Sequence, residues 1–337
     1  MSRKMIRNVL VTAGLALIAG PAAFAVFAEA SHGRAAAFLE EVRAAQDRVR
    51  FQGRKTVAYR DGSIVLDLRA DRPGRVHVES IQRPPGRRAS GWAGRGSRGR
   101  FADPVLISEN YRLESAGSQT LAGREADRFT LRPRRPGRAA YEFSIDHATR
   151  FLLAFRAVAA DGTVLHDARF DSIEFNPAPR PETSAPKQAA PVRSSQDKPR
   201  RVIRQRVTEE ELRGAMPFTV WRPGWIPEGF RLRALERYVI RDLGEAILGT
   251  WSDGMTTIFV VQADGSNPAW ELFRGLYLGL PEAPVPAAAG AGAVAHRIRH
   301  PGGAILDLTL EGTEILIGGQ IDPSELEAMA ERLVKID

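Results

Sequence analysis

The chain has 337 residues, 43% hydrophobic and 26% charged, with a formal net charge of +8. That is enough apolar material for about two domains, while the complete lack of cysteine excludes disulfides, thiolate chemistry, cysteine zinc sites and lipidation at a cysteine. The charge is divided rather than shared: residues 31–177 carry 26 positive and 18 negative groups, 178–208 eight and two, and 209–337 11 and 19. A basic half (+8), a basic connector (+6) and an acidic half (−8) make a poor nucleic-acid binder and favour two lobes that attract each other.

Residues 1–30 read as a targeting segment. Arg3, Lys4 and Arg7 precede an apolar run from Val9 to Phe27, and Ala28-Glu29-Ala30 fits a small-x-small cleavage site before Ser31. The run is long enough that an uncleaved membrane anchor is the alternative. From Ser31 a helix is expected, with Phe38, Leu39, Val42, Ala45 and Val49 on one face.

Strands follow with little interruption: 51–62, 63–71, 74–81, 111–133, 141–146, 151–158 and 164–175, with Asp61-Gly62 and 160–163 as turn signals. In 141–146, Tyr141, Phe143 and Ile145 alternate with Glu142, Ser144 and Asp146, predicting a dry and a wet face. Phe151, Leu153 and Phe155 continue the dry face on the next strand. About eight strands with one helix demand an antiparallel sheet that curls on itself, leaving a concave apolar face. The expected class is therefore mainly β, or α+β: a half-open antiparallel barrel with an N-terminal helix, plus a smaller α+β second domain.

Residues 178–208 read as a linker, with Pro179, Pro181, Pro186, Pro191 and Pro199 among Ser, Gln, Lys and Arg. Thr208 to Glu211 is a capping box opening a short helix. In 209–337 strands are expected at 230–240, 245–254, 256–264, 293–300, 304–311 and 313–320. The chain closes with a helix whose N-cap is Asp322, followed by Pro323.

No motif commits the chain to catalysis. Gly94, Gly96 and Gly99 match a dinucleotide-loop spacing but lack the flanking strand and helix. Ser195 to Lys198 matches S-x-x-K inside the linker, where nothing holds a nucleophile. His296 and His300 are flanked by Arg297 and Arg299, which oppose a divalent metal. No catalytic residue, metal ligand or cofactor is expected. The loop at 83–100 has six arginines and no acid; Arg83, Arg87, Arg88 and Trp92 suit phosphate and a lipid interface, against the plainer reading of a solvated loop. In the second half Trp221, Trp225 and Phe230 are candidate partner anchors, with a buried core as the alternative.

The stretch "YRLESAGSQTLAGREADRFTLRPRRPGRAAYEFSIDHATRFLLAFRAVAADGTVLHDARFDSIEF" resembles the N-terminal domain of the RseB/MucB family, exported negative regulators of an envelope-stress sigma factor. "WRPGWIPEGFRL", "WSDGMTTIFVVQ" and "GTEILIGGQIDPSELEAMAERL" resemble the family's second domain. The resemblance implies a first domain similar to the lipoprotein-carrier LolA fold and a small α+β domain on a flexible linker. It also implies a non-enzymatic regulator that binds the exported part of a single-span anti-sigma factor and shields it from proteolysis until lipid-like signals release it. Expected partners are that anti-sigma factor and the acyl chains of lipid, lipopolysaccharide or lipoprotein, with no nucleic acid, and a homo-oligomer is compatible. The concave face, including Phe143, Ile145, Leu153 and Phe155, is the expected acyl site. A lipid or lipoprotein carrier using the half-barrel alone is the alternative function. The expected location is periplasmic or otherwise extracytoplasmic.

Overall fold

The computed structural model describes residues 21–59, 62–72, 74–82, 101–178, 202–240, 244–267, 270, 285–286, 295–300 and 303–336. Most of the targeting segment, the 83–100 loop with Arg83, Arg87, Arg88 and Trp92, and most of the linker lie outside them. Among the described residues no helix is long and apolar enough to cross a membrane.

The first lobe is an open eight-stranded antiparallel sheet. Its strands are β1 (Phe51–Tyr59), β2 (Gly62–Arg72), β3 (Arg75–Gln82), β4 (Tyr111–Leu121), β5 (Arg124–Pro133), β6 (Ala140–Asp146), β7 (Leu152–Val158) and β8 (Val164–Phe175), in the order β3-β2-β1-β8-β7-β6-β5-β4. The edges β3 and β4 do not meet, so the expected half-open barrel is what forms. Helix α1 (Pro21–Arg48) starts earlier than the predicted Ser31 and lays Leu39 and Val42 onto the inner face.

The sequence reading did not anticipate helix α2 (Pro104–Asn110), although it has its own start signal. Asp103 caps it by accepting from Leu106 N at 3.0 Å, and Pro104 follows at the first turn. Phe101 and Ile107, before and on this helix, complete the cover of the inner face.

That face is filled. Phe143 stacks on Phe129 with ring centroids 5.5 Å apart, and Phe101 lies 5.1 Å from Phe143. Phe143 and Phe155 are register partners on β6 and β7. A register shift between Ser144 and Ile145 then lets Leu152 and Leu153 both be buried, Leu152 beside Ile145 and Leu153 with Phe151 and Phe170 in the adjoining cluster.

The wet face also differs from expectation, because side chains of neighbouring strands cover part of it. Glu142 remains at the surface, but Ser144 and Asp146 are buried. Ser144 Oγ accepts from Gln119 Nε2 at 2.9 Å. Burial pushes the Asp146 carboxyl up, yet hydrogen bonds from Arg124 and from Thr149 N and Oγ1 outweigh it and hold the group below its ordinary range.

The second lobe is another eight-stranded sheet, ordered β14-β15-β16-β17-β13-β12-β11-β9. It comprises β9 (Val202–Arg206), β11 (Arg231–Ile240), β12 (Gly244–Ser252), β13 (Thr257–Asp264), β14 (Val285–Pro286), β15 (Ala295–His300), β16 (Gly303–Leu310) and β17 (Thr313–Gly319). Strand β9 falls inside the segment read as linker; its pairing with β11 brings the sheet to Val202. A short ribbon, β10 (Trp221–Pro223) with β18 (Leu333–Lys335), lies apart from the main sheet. The capping-box helix forms as α3 (Glu209–Leu212) and the closing helix as α4 (Pro323–Glu331).

Both faces of this sheet are covered. Ile258, Val260, Leu306 and Ile317 meet Leu326 and Met329 of α4, while Val261, Ala263, Ile305 and Leu316 meet Trp270 on the other side. Double burial explains why "IFVV" is apolar at consecutive positions instead of alternating.

Candidate functional site

The tight turn between β12 and β13, Ser252 to Thr256, is pressed into the open mouth of the first lobe. Asp253 builds the turn by accepting from Met255 N (2.9 Å) and Thr256 N (2.7 Å) through Oδ1. Its second oxygen, Oδ2, accepts from Tyr111 Oη at 2.7 Å, at the start of β4 in the other lobe. Tyr141 Oη and Thr256 Oγ1 are 2.8 Å apart, and Met255 packs against the aromatic cluster of the first lobe. The apolar mouth of the half-barrel is thus closed by a side chain of the second domain.

The electrostatics of this contact fit its depth. Burial pushes the Asp253 carboxyl up, against the opposing pull of hydrogen bonds from Thr256 N, Tyr111 and Met255 N and of the Arg138 charge. Burial, then the neighbouring Tyr141 and Asp253, push the Tyr111 phenol well above its usual range, so it stays protonated and remains a donor.

A second layer surrounds the turn. Asn110, the last residue of α2, donates through Nδ2 to the carbonyls of Gly229 and Asp253, each at 3.0 Å, and its Oδ1 accepts from Arg135 Nη1 at 2.8 Å. Arg138, on the segment between β5 and β6, forms a two-point ion pair with Glu325 on the first turn of α4; its Nη2 lies 2.9 Å from Oε1. The same guanidinium sits over the ring of Phe230, 4.9 Å from its centroid. At the periphery Arg135 pairs with Glu228, Arg231 with Glu109 (2.6 Å) and Arg233 with Asp103 (2.6 Å). Two of the four pairs run from a first-lobe arginine to a second-lobe acid and two run the reverse way. Local complementarity, more than the opposite net charges of the halves, therefore aligns the lobes.

Of the residues singled out by sequence, Phe230 is brought to this seam. Trp221 and Trp225 are half-buried against the second-lobe core, under Lys335 (5.5 Å) and Arg332 (5.3 Å) respectively. Pro223 ends the short β10–β18 ribbon as the register partner of Leu333. Phe143, Ile145, Leu153 and Phe155 are buried within the first lobe. Tyr111, Asn110, Arg138 and Asp253 were not singled out. "SDG" was the one signal that pointed to the turn. Among the described residues no group of histidines and carboxylates could hold a metal ion.

Residues 89–193 match the family model of the MucB/RseB N-terminal domain. Over that stretch the chain is similar to the N-terminal domain of the MucB/RseB family. Likeness of fold to solved structures reaches beyond it. A structure of the MucA/MucB complex of Pseudomonas aeruginosa aligns with a TM-score of 0.56 at 18% identity, covering 90% of this chain and 99% of the other. A crystal structure of MucB in complex with MucA(peri) aligns with a TM-score of 0.54 at 19% identity, covering 89% and 98%. A search of the curated proteins found no match. The fold of nearly the whole chain is therefore similar to that of solved MucB structures.

Proposed function

We propose that this chain is an exported regulatory binding protein that holds the extracytoplasmic segment of a single-span anti-sigma factor, restraining its proteolysis. The observation that carries this reading is the likeness over nearly the whole length of both lobes to MucB in its complexes with MucA. Binding and shielding need a large, stable surface and no reacting groups, and two lobes locked at a seam supply that.

Lipid-like ligands act as the release signal. The residues expected to meet an acyl chain, Phe143, Ile145 and Phe155, are covered by α1, α2 and Met255. An acyl chain reaching them displaces part of that cover, and Met255 is the part contributed by the other lobe. Ligand entry is thereby tied to loosening of the seam. The feature that favours a lipid ligand is the edge strand β3, where Val76, Val78 and Ile81 are exposed beside the inner cluster of Leu66 and Leu68. A simple carrier would not need its mouth plugged by a second domain.

The test is a binding and protection assay with the purified chain and the extracytoplasmic segment of the anti-sigma factor from the same organism. The expected result is a stoichiometric complex in which proteolysis of the segment slows, reversed by an acylated amphiphile. Absence of a complex at micromolar concentrations would overturn the reading.

A further inference from the structure

Asp253 and Thr256 hold the seam turn, but the apolar side chain that the turn delivers into the first lobe is Met255. The turn is pinned from within: Asp253 N donates to Thr256 O at 3.3 Å, Ser252 Oγ donates to the same carbonyl at 2.8 Å, and Gly254 N donates to Ser252 Oγ at 2.9 Å. Met255 N is itself held by Asp253 Oδ1. Its side chain packs against the cluster that contains Tyr111, Tyr141, Phe143 and Phe155, yet it is only half-buried, so solvent reaches it. A flexible thioether suits an aromatic surface of this kind.

Composition isolates this sulfur. The chain has no cysteine, so sulfur chemistry falls to five methionines. Met1 and Met5 lie in the segment read as a targeting signal, and Met329 is fully buried in the second-lobe core. Met216 and Met255 remain, both half-buried. Met216 packs within the second lobe, on the small cluster of Leu212 and Val220. Met255 is the one of the two that crosses the seam.

We propose that Met255 is a reversible oxidation site that sets how tightly the lobes dock. In the step, the O–O bond of a peroxide breaks, the thioether sulfur gives up two electrons and takes one oxygen as S=O, and water leaves. The product is polar and accepts hydrogen bonds, at a position packed on an apolar cluster. The Tyr111 hydroxyl proton in that cluster is already given to Asp253 Oδ2. A sulfoxide oxygen kept in place therefore stays unpaired or takes that proton and breaks the Asp253 bond. To reach water instead, the side chain must leave the cluster it covers. Each course weakens docking, by about tenfold for one unpaired buried acceptor. Methionine sulfoxide reductase reverses the change with a thiol reductant. The inference rests on the seam alone and holds whether or not the chain binds an anti-sigma segment.

The test treats the full chain with hydrogen peroxide and follows it by peptide mass spectrometry and hydrogen exchange. Met255 is expected to gain one oxygen atom. Amides of the Ser252–Thr256 turn and of α2 are expected to exchange about tenfold faster, with the strands of both sheets unchanged. Met255→Leu, close in volume and inert to peroxide, should abolish the response, whereas Met216→Leu should keep it. Treatment with the reductase should restore slow exchange in the wild-type chain, a readout that serves if Met255→Leu itself loosens the seam. The proposal would be overturned by a Met255 that stays reduced while Met216 is oxidised, or by unchanged seam exchange in the oxidised chain. Acceleration that persists in Met255→Leu, or that the reductase does not reverse, would overturn it equally.

Discussion

Gly254→Ala is expected to drive the two lobes apart while leaving each lobe folded. Gly254 has a φ of +99°, and a Cβ at that position would lie 2.6 Å from Ile107 Cγ1 and 2.8 Å from the Ile107 backbone nitrogen. The backbone conformation alone costs an L-residue about 1–3 kcal/mol. That strain falls on the turn whether or not the lobes are docked; the clash with Ile107, part of it with backbone that cannot rotate away, is what opposes docking, at about 1–3 kcal/mol. That is roughly a five- to hundredfold shift toward the undocked form. Small-angle scattering should show a larger radius of gyration, with circular dichroism unchanged. Gly229→Ala should act in the same direction but more gently, because its Cβ would meet the Asn110 Oδ1 atom at the movable end of a side chain. An unchanged radius for Gly254→Ala would show that the lobes do not approach through this turn.

The second large effect is expected from Arg138→Ala. The Arg138 side chain is 5% exposed, and its partner Glu325 is 29% exposed. Removing one member of a buried pair costs about 3–5 kcal/mol, mostly through the charge left behind. Glu325 retains some water, so a loss of about 2–4 kcal/mol of docking free energy is expected here, including the lost stacking on Phe230. Arg138→Lys should not rescue docking, since an ammonium cannot reproduce the two-point contact with the carboxylate or the planar stack on the ring. Docking measured by scattering should fall in both variants, with the alanine form lower. Full docking in the lysine form would reduce Arg138 to a simple point charge.

The fold was legible where local rules operate. Period-two alternation located β6 and β7, turn residues separated their neighbours, and Asp322-Pro323 announced α4. Asp103-Pro104 was an equally good start signal for α2, but its seven residues are too few to show a helical apolar face. Alternation failed at Ser144 and Asp146 because Gln119 of β4 and Arg124 of β5 cover these outward positions, which the pattern of one strand cannot show. The seam was illegible for a different reason. Arg138 and Glu325 are 187 residues apart, and Arg135 and Glu228 are 93 apart. No periodicity couples such pairs, so only the folded chain shows that they meet. Phe230 was noticed for its size as a partner anchor or a buried core residue, and its ring lies under a guanidinium of the first lobe, a contact no local pattern announces.

The most direct test of the seam as the regulated contact exploits the cysteine-free background of this chain. Glu109→Cys/Arg231→Cys places one thiol on each lobe beside the seam; because the wild-type pair meets at the tips of two long side chains, the thiols are bridged with a reducible bis-maleimide linker. The bridged protein and the same protein after reduction of the linker are then compared for release of the bound anti-sigma segment by an acylated amphiphile. The account predicts that the bridge forms within one molecule, that the bridged protein still binds the segment, and that lipid releases it only after the linker is cleaved. Failure of the bridge to form within one molecule, or equal release from both forms, would contradict it.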